Sequence, residues 1–107
     1  IILRFLSNPF TDAVVFGGLE PFLQITEVIE FIDRLRNIHN SNADVVIYTG
    51  YTEEEVRSTR FSHEYHQLQQ YQNVIVKFGR YIPNRPSRYD DVLGVTLASD
   101  NQYAKLL

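Results

Sequence analysis

The chain has 107 residues, of which 44% are apolar, 21% charged and 13% aromatic. That composition suits one globular domain with a single modest core and is too apolar and aromatic for a disordered chain. Ten basic against thirteen acidic residues give a formal charge of −3, which argues against a general nucleic-acid-binding role but not against a local basic patch. Purely apolar runs last only a few residues, far short of the roughly 20 that cross a bilayer, and the first residues lack the ordered segments of a secretory signal. Neither a nucleic-acid partner nor a membrane is expected, and the expected location is cytoplasmic.

Cysteine and methionine are both absent. Without cysteine, these residues cannot supply a disulfide, a thiolate zinc site or the ligands of an iron–sulfur cluster. The opening Ile1-Ile2-Leu3, with no methionine in the chain, reads as the start of a fragment whose upstream segment is missing. If a leading strand is lost, the sheet is left with an unpaired edge, and self-association or marginal stability is expected.

In chain order, Ala13-Val14-Val15-Phe16 is a continuous apolar run ending at Gly17-Gly18, the pattern of a buried strand entering a tight turn. From about Phe22 to Asn37, Ile25, Val28, Ile29, Ile32 and Leu35 recur at helical spacing while charged residues occupy the other face. Acids fall early in that segment and Arg34 and Arg36 late, which complements the helix dipole. Residues 37–42 make a polar turn. Val45-Val46-Ile47-Tyr48 is a second buried strand ending at Thr49-Gly50, and Thr52 with Glu55 forms a capping box that opens a second helix. Residues 62–70 read as a polar helix. Val74-Ile75-Val76 with Phe78 is a third strand, ending at Gly79, and Pro83 and Pro86 rule out an ordinary helix after it.

This strand–helix–strand–helix–strand order predicts an α/β fold with a parallel βαβαβ sheet, and a single domain over residues 1–107. Ligands of parallel sheets lie beyond the carboxyl ends of the strands, so the three glycine turns are expected to meet on one rim. At the densest of them, Gly17-Gly18-Leu19-Glu20-Pro21, the paired glycines permit close backbone approach, Glu20 offers a carboxylate and Pro21 fixes φ where the helix begins. The same residues equally suit a purely structural turn. Lys77, Arg80, Arg85 and Arg88, with Tyr81 and Tyr89 among them, form a stretch free of acids. It reads as a phosphate, carboxylate or partner site, or as a solvated loop. His63 and His66 read as a surface pair with no third ligand at suitable spacing, and Asp90-Asp91 as solvated acids.

Three segments together resemble the radical S-adenosylmethionine superfamily, in particular the activating proteins of anaerobic ribonucleotide reductase. Gly17-Gly18-Leu19-Glu20-Pro21 is similar to the superfamily's Gly-Gly-Glu-Pro motif, with Leu19 inserted. Tyr48-Thr49-Gly50-Tyr51 resembles the next strand-end motif, and Phe78-Gly79-Arg80-Tyr81-Ile82 followed by Ser99-Asp100-Asn101-Gln102 resembles the closing motifs, with Lys77 where an Asp is common. The resemblance implies an incomplete (β/α) barrel, S-adenosylmethionine as cofactor, and a [4Fe-4S] cluster on a Cys-x3-Cys-x2-Cys motif that is missing here. It further implies a 5′-deoxyadenosyl radical that installs a glycyl radical on the large subunit of the reductase, with an electron donor such as flavodoxin. On this reading Gly17, Gly18, Glu20 and Pro21 receive the ligand's ammonium, Lys77 or Arg80 its carboxylate, and Thr49, Gly50 and Tyr51 the ribose or adenine. No catalytic or metal-binding residue is assigned. The alternatives are a radical enzyme acting on a small molecule and a non-catalytic α/β module that lacks the cluster.

Overall fold

A computed structural model describes residues 2–7, 12–58 and 61–107, with residues 2–7 and 12 described through their backbone only. Among the described residues, seven strands and three α-helices follow the order β1 (Ile2–Ser7), β2 (Asp12–Gly17), α1 (Ile25–Asn37), β3 (Asp44–Tyr48), α2 (Glu53–Ser58), α3 (Ser62–Leu68), β4 (Val74–Phe78), β5 (Arg88–Asp90), β6 (Val95–Leu97) and β7 (Tyr103–Leu106). A 3-10 turn, Pro21–Gln24, precedes α1.

The main sheet runs β1-β2-β3-β4-β7. The three central strands are parallel, as the alternation of strands and helices predicts, with Val14 opposite Val45 and Val45 opposite Val74. The wholly parallel sheet needs correction: β1 pairs antiparallel with β2, and β7 antiparallel with β4. The sheet is therefore mixed, and among the described residues it stays open and does not close into a barrel. β1 covers the outer edge of β2, in a register that runs from Ile2 opposite Gly17 to Ser7 opposite Asp12.

Helices cover one face of the sheet. Val14, Phe16, Val45, Ile47, Val74, Val76 and Phe78 meet Phe22, Ile25, Val28, Ile32, Val56, Phe61, Tyr65 and Leu68 in one core. Ile25, Val28 and Ile32 are the buried positions of α1, at the spacing that gives a helix one apolar face. The opposite face carries Val15, Val46, Ile75 and Ala104, and Leu93 packs against it from the β5–β6 turn. Cover on both faces explains the continuous apolar runs of β3 and β4. The capping box is formed as predicted: the Glu55 amide donates to Thr52 Oγ1 at 3.1 Å and the Thr52 amide to Glu55 Oε1 at 2.9 Å. Among the described residues, no helix is long and apolar enough to cross a membrane.

Candidate functional site at the strand ends

Parallel pairing places the ends of β2, β3 and β4 side by side, and the turns that follow them are joined by hydrogen bonds. Glu20 is the hub. Its Oε2 accepts from the Thr49 hydroxyl at 2.8 Å and the Phe22 amide at 3.0 Å, and its Oε1 accepts from the Gly50 amide at 2.8 Å. Thr49 is buried, and its hydroxyl also accepts from the Tyr51 amide at 3.1 Å. The Thr49 amide donates to the Lys77 carbonyl, and the Gly79 amide to the Tyr51 carbonyl, both at 2.9 Å. Arg80 reaches the Gly50 carbonyl at 3.4 Å and Glu55 at 3.8 Å, with its side chain largely exposed.

The expected convergence is thus observed for Glu20, Thr49, Gly50 and Arg80. Pro21 is buried beneath them at the head of the 3-10 turn. Gly17 and Gly18 lead from β2 toward Glu20, and Gly18 uses its freedom with φ +81°. Lys77 lies half-buried on β4, donates to the Gly79 carbonyl at 2.9 Å and stands 5.7 Å above the Tyr48 ring. Burial pushes its ammonium below the ordinary lysine value, and the Glu20 carboxylate opposes that shift. The ring of Tyr51 turns inward and packs on Phe61, with centroids 5.2 Å apart.

The sequence reading missed what holds the third turn. Gly79 has φ +97°, and a Cβ there would lie 3.3 Å from both Asn101 Nδ2 and the Asn101 carbonyl. Buried Gln102 donates to the Gly79 carbonyl at 3.2 Å, Asn101 to the Arg80 carbonyl at 2.9 Å, and the Ile82 amide to the hydroxyl of buried Ser99 at 3.2 Å. The 99–102 segment is therefore a clamp on the loop after β4. The sequence marked this segment only through its resemblance to a closing motif, which says nothing of a clamp on Gly79.

Asp90 also needs correction. It is buried rather than solvated, and its carboxylate accepts from the Leu93 amide at 2.8 Å and the Ala104 amide at 2.9 Å. Asp91 is exposed, as expected. His63 and His66 lie on the exposed side of α3, in keeping with a surface pair. A second polar cluster went unread: Glu53 accepts from Tyr103 at 2.7 Å, Lys105 at 2.7 Å and Tyr65 at 3.4 Å, beside a shallow cleft of about 410 Å³. Its residues are scattered through the sequence, so no local pattern marks it.

Turns bearing a carboxylate and a guanidinium thus meet at the ends of parallel strands, the place where ligands of open α/β sheets lie. Residues 1–102 match the family of 4Fe-4S single cluster domains, and the chain belongs to that family. No curated protein and no solved structure matches it.

The residues present do not fit the cluster that gives the family its description. Such clusters are held by thiolates, and these 107 residues contain no cysteine. Among the described residues, no group of three or more His, Cys, Asp or Glu side chains could hold a metal ion.

Proposed function

We propose that this chain is the ligand-binding part of a radical S-adenosylmethionine activating protein, its sheet one arc of an incomplete barrel. The observation that carries the reading is the single hydrogen-bonded rim joining Glu20, Thr49, Gly50 and Arg80 from three strand ends. The Glu20 carboxylate has accepted three donors and keeps about one lone-pair site open, on Oε1, toward a ligand ammonium. Arg80, exposed and loosely held, is the cation for a ligand carboxylate. Gly17 and Gly18 leave backbone accessible beside them. S-adenosylmethionine offers both charges together with an adenosine. Action on a glycine of anaerobic ribonucleotide reductase, with flavodoxin as electron donor, rests on the resemblance of the motifs. The thiolates for a cluster have to come from outside these 107 residues.

Calorimetry on the purified chain tests the ligand. S-adenosylmethionine is expected to bind, and Arg80→Ala to weaken it about tenfold, the worth of one charged hydrogen bond. Binding of 5′-methylthioadenosine, which has no carboxylate, should not change in that variant. No binding of either compound, or equal losses for both, removes the reading.

A second reading, a partner-binding α/β module without radical chemistry, is favoured by the lack of cysteine and by the internal use of Glu20. It predicts no heat with either nucleoside.

A further inference from the structure

The loop after β4 is exposed from Arg80 through Tyr89 without a break. Exposed loops of this length usually gain order by burying side chains. This one is held by its backbone, through Ser99 to Ile82, Asn101 to Arg80 and Gln102 to Gly79. Its own side chains are left outside. Tyr81 is 58% exposed, Ile82 38% and Tyr89 61%.

The charge of this loop runs against the rest of the chain. From Lys77 to Tyr89 there are four cations and no acid, whereas the remaining residues carry six cations and thirteen acids. Arg85 pairs with Asp100 at the base. Arg88 makes no ion pair among the described residues.

We propose that residues 80–89 form a docking surface for an acidic segment of a partner protein. Arginine and tyrosine are the residues that most often anchor protein interfaces, because each joins a large, weakly hydrated contact area to a directional donor. Carboxylates on the partner pair with Arg85 and Arg88, and its apolar side chains meet Tyr81, Ile82 and Tyr89. The clamp holds residues 79–82, the Arg85–Asp100 pair the middle of the loop and β6 its end, which lowers the ordering cost left for binding. A polynucleotide also carries negative charge, but its phosphates extend past the loop and meet a surface rich in acids. A short acidic peptide avoids that repulsion. This inference does not depend on what the strand-end rim binds, because Arg80, the residue shared with the rim, is not among its anchors.

The test uses the full chain and a synthetic peptide of alternating glutamate and phenylalanine, followed by fluorescence anisotropy and by amide chemical shifts. Saturable binding that weakens as salt rises is expected, with shifts confined to residues 80–89. Arg88→Glu, which breaks no ion pair among the described residues, should weaken binding by about tenfold or more. Tyr81→Ala should also weaken it, and at every salt concentration. Absence of binding, an unchanged affinity in Arg88→Glu, shifts centred elsewhere, or tighter binding of single-stranded DNA of matched charge would each overturn the proposal.

Discussion

Glu20 and Gly50, 30 residues apart in sequence, are joined by a 2.8 Å hydrogen bond from the Gly50 amide to the Glu20 carboxylate. This contact, with that of Thr49 to the same carboxylate, ties the turn after β2 to the turn after β3. Glu20 therefore has a structural duty whatever the rim binds. Glu20→Ala strands the buried Thr49 hydroxyl and two amides and should cost about 3 kcal/mol in urea unfolding. Glu20→Gln keeps one acceptor oxygen and should cost about 1 kcal/mol. An alanine variant as stable as the wild type would show that the rim is held by something else.

Two glycines of the rim should respond differently to alanine. Gly79 has φ +97°, and an added Cβ meets Asn101 at 3.3 Å and the Gln102 Cα at 3.4 Å. Gly79→Ala should destabilise by about 2 kcal/mol through backbone strain and crowding. At Gly50 the nearest atoms to an added Cβ are Glu20 Oε1 at 3.6 Å and Arg80 Cβ at 3.9 Å, ordinary contact distances. Gly50→Ala should change stability by less than about 1 kcal/mol. Equal denaturation midpoints for the two variants would contradict this contrast.

These positions show how far the sequence could be read. The strands β2, β3 and β4, the apolar face of α1 and the Thr52–Glu55 cap follow local rules of period and spacing, and each was legible. So was the meeting of Glu20, Thr49 and Arg80, because parallel strands necessarily bring their carboxyl ends together. The edge strands were not legible. β7 is four residues long and mixes Tyr103 and Lys105 with Ala104 and Leu106, a pattern too short to separate from a loop. β1, Ile2–Ser7, lies in a stretch for which no element was expected. Asp90 was misread because an Asp-Asp pair in a polar stretch gives no hint that one member points inward. The clamp at 99–102 depends on contacts about 20 residues away, which local pattern does not record.

Stability should fall at both ends of the pH range through the Glu53 cluster. Hydrogen bonding from Lys105, opposed by burial and aided by Tyr103, holds the Glu53 carboxyl below its ordinary value of 4.5. Its contribution is present above that value and is lost as pH falls through the folded-state value. Tyr65 and Tyr103 are pushed up to about 12 from 10.0, first by burial and then by Glu53. Their contribution is complete below pH 10 and is lost as pH rises toward 12. Urea midpoints across pH should show both slopes. Glu53→Gln should flatten the acid limb, and Tyr103→Phe should flatten the alkaline one. Unaltered limbs in both variants would dissociate the cluster from the pH response.

Arg36 fastens the end of α1 to two loops. Its guanidinium donates to the Gln72 carbonyl from Nε at 3.2 Å and Nη2 at 2.7 Å, and to the Ser41 carbonyl from Nη1 at 3.0 Å. A lysine ammonium is a single point and cannot reproduce this fork. Arg36→Lys should therefore lose nearly as much as Arg36→Ala, about 1 to 2 kcal/mol in each case. Full recovery by lysine would mean that charge alone matters there.

Asp90 guards an edge. The Ala104 amide lies on β7, the last strand of the sheet, and donates to the Asp90 carboxylate at 2.9 Å. The other carboxylate oxygen takes the Leu93 amide at 2.8 Å and fixes the turn between β5 and β6. One side chain thus blocks a free strand amide and seats Leu93 against Val46, Ile75 and Ala104. Asp90→Ala should cost about 2 kcal/mol and uncover an unpaired donor on a terminal strand, a template for association. Sedimentation should show more self-association for Asp90→Ala than for Asp91→Ala, since Asp91 is exposed. Asp90→Asn, which keeps an acceptor oxygen, should fall between them. If Asp90→Ala loses stability yet sediments like the wild type, the carboxylate secures the turn without protecting the edge.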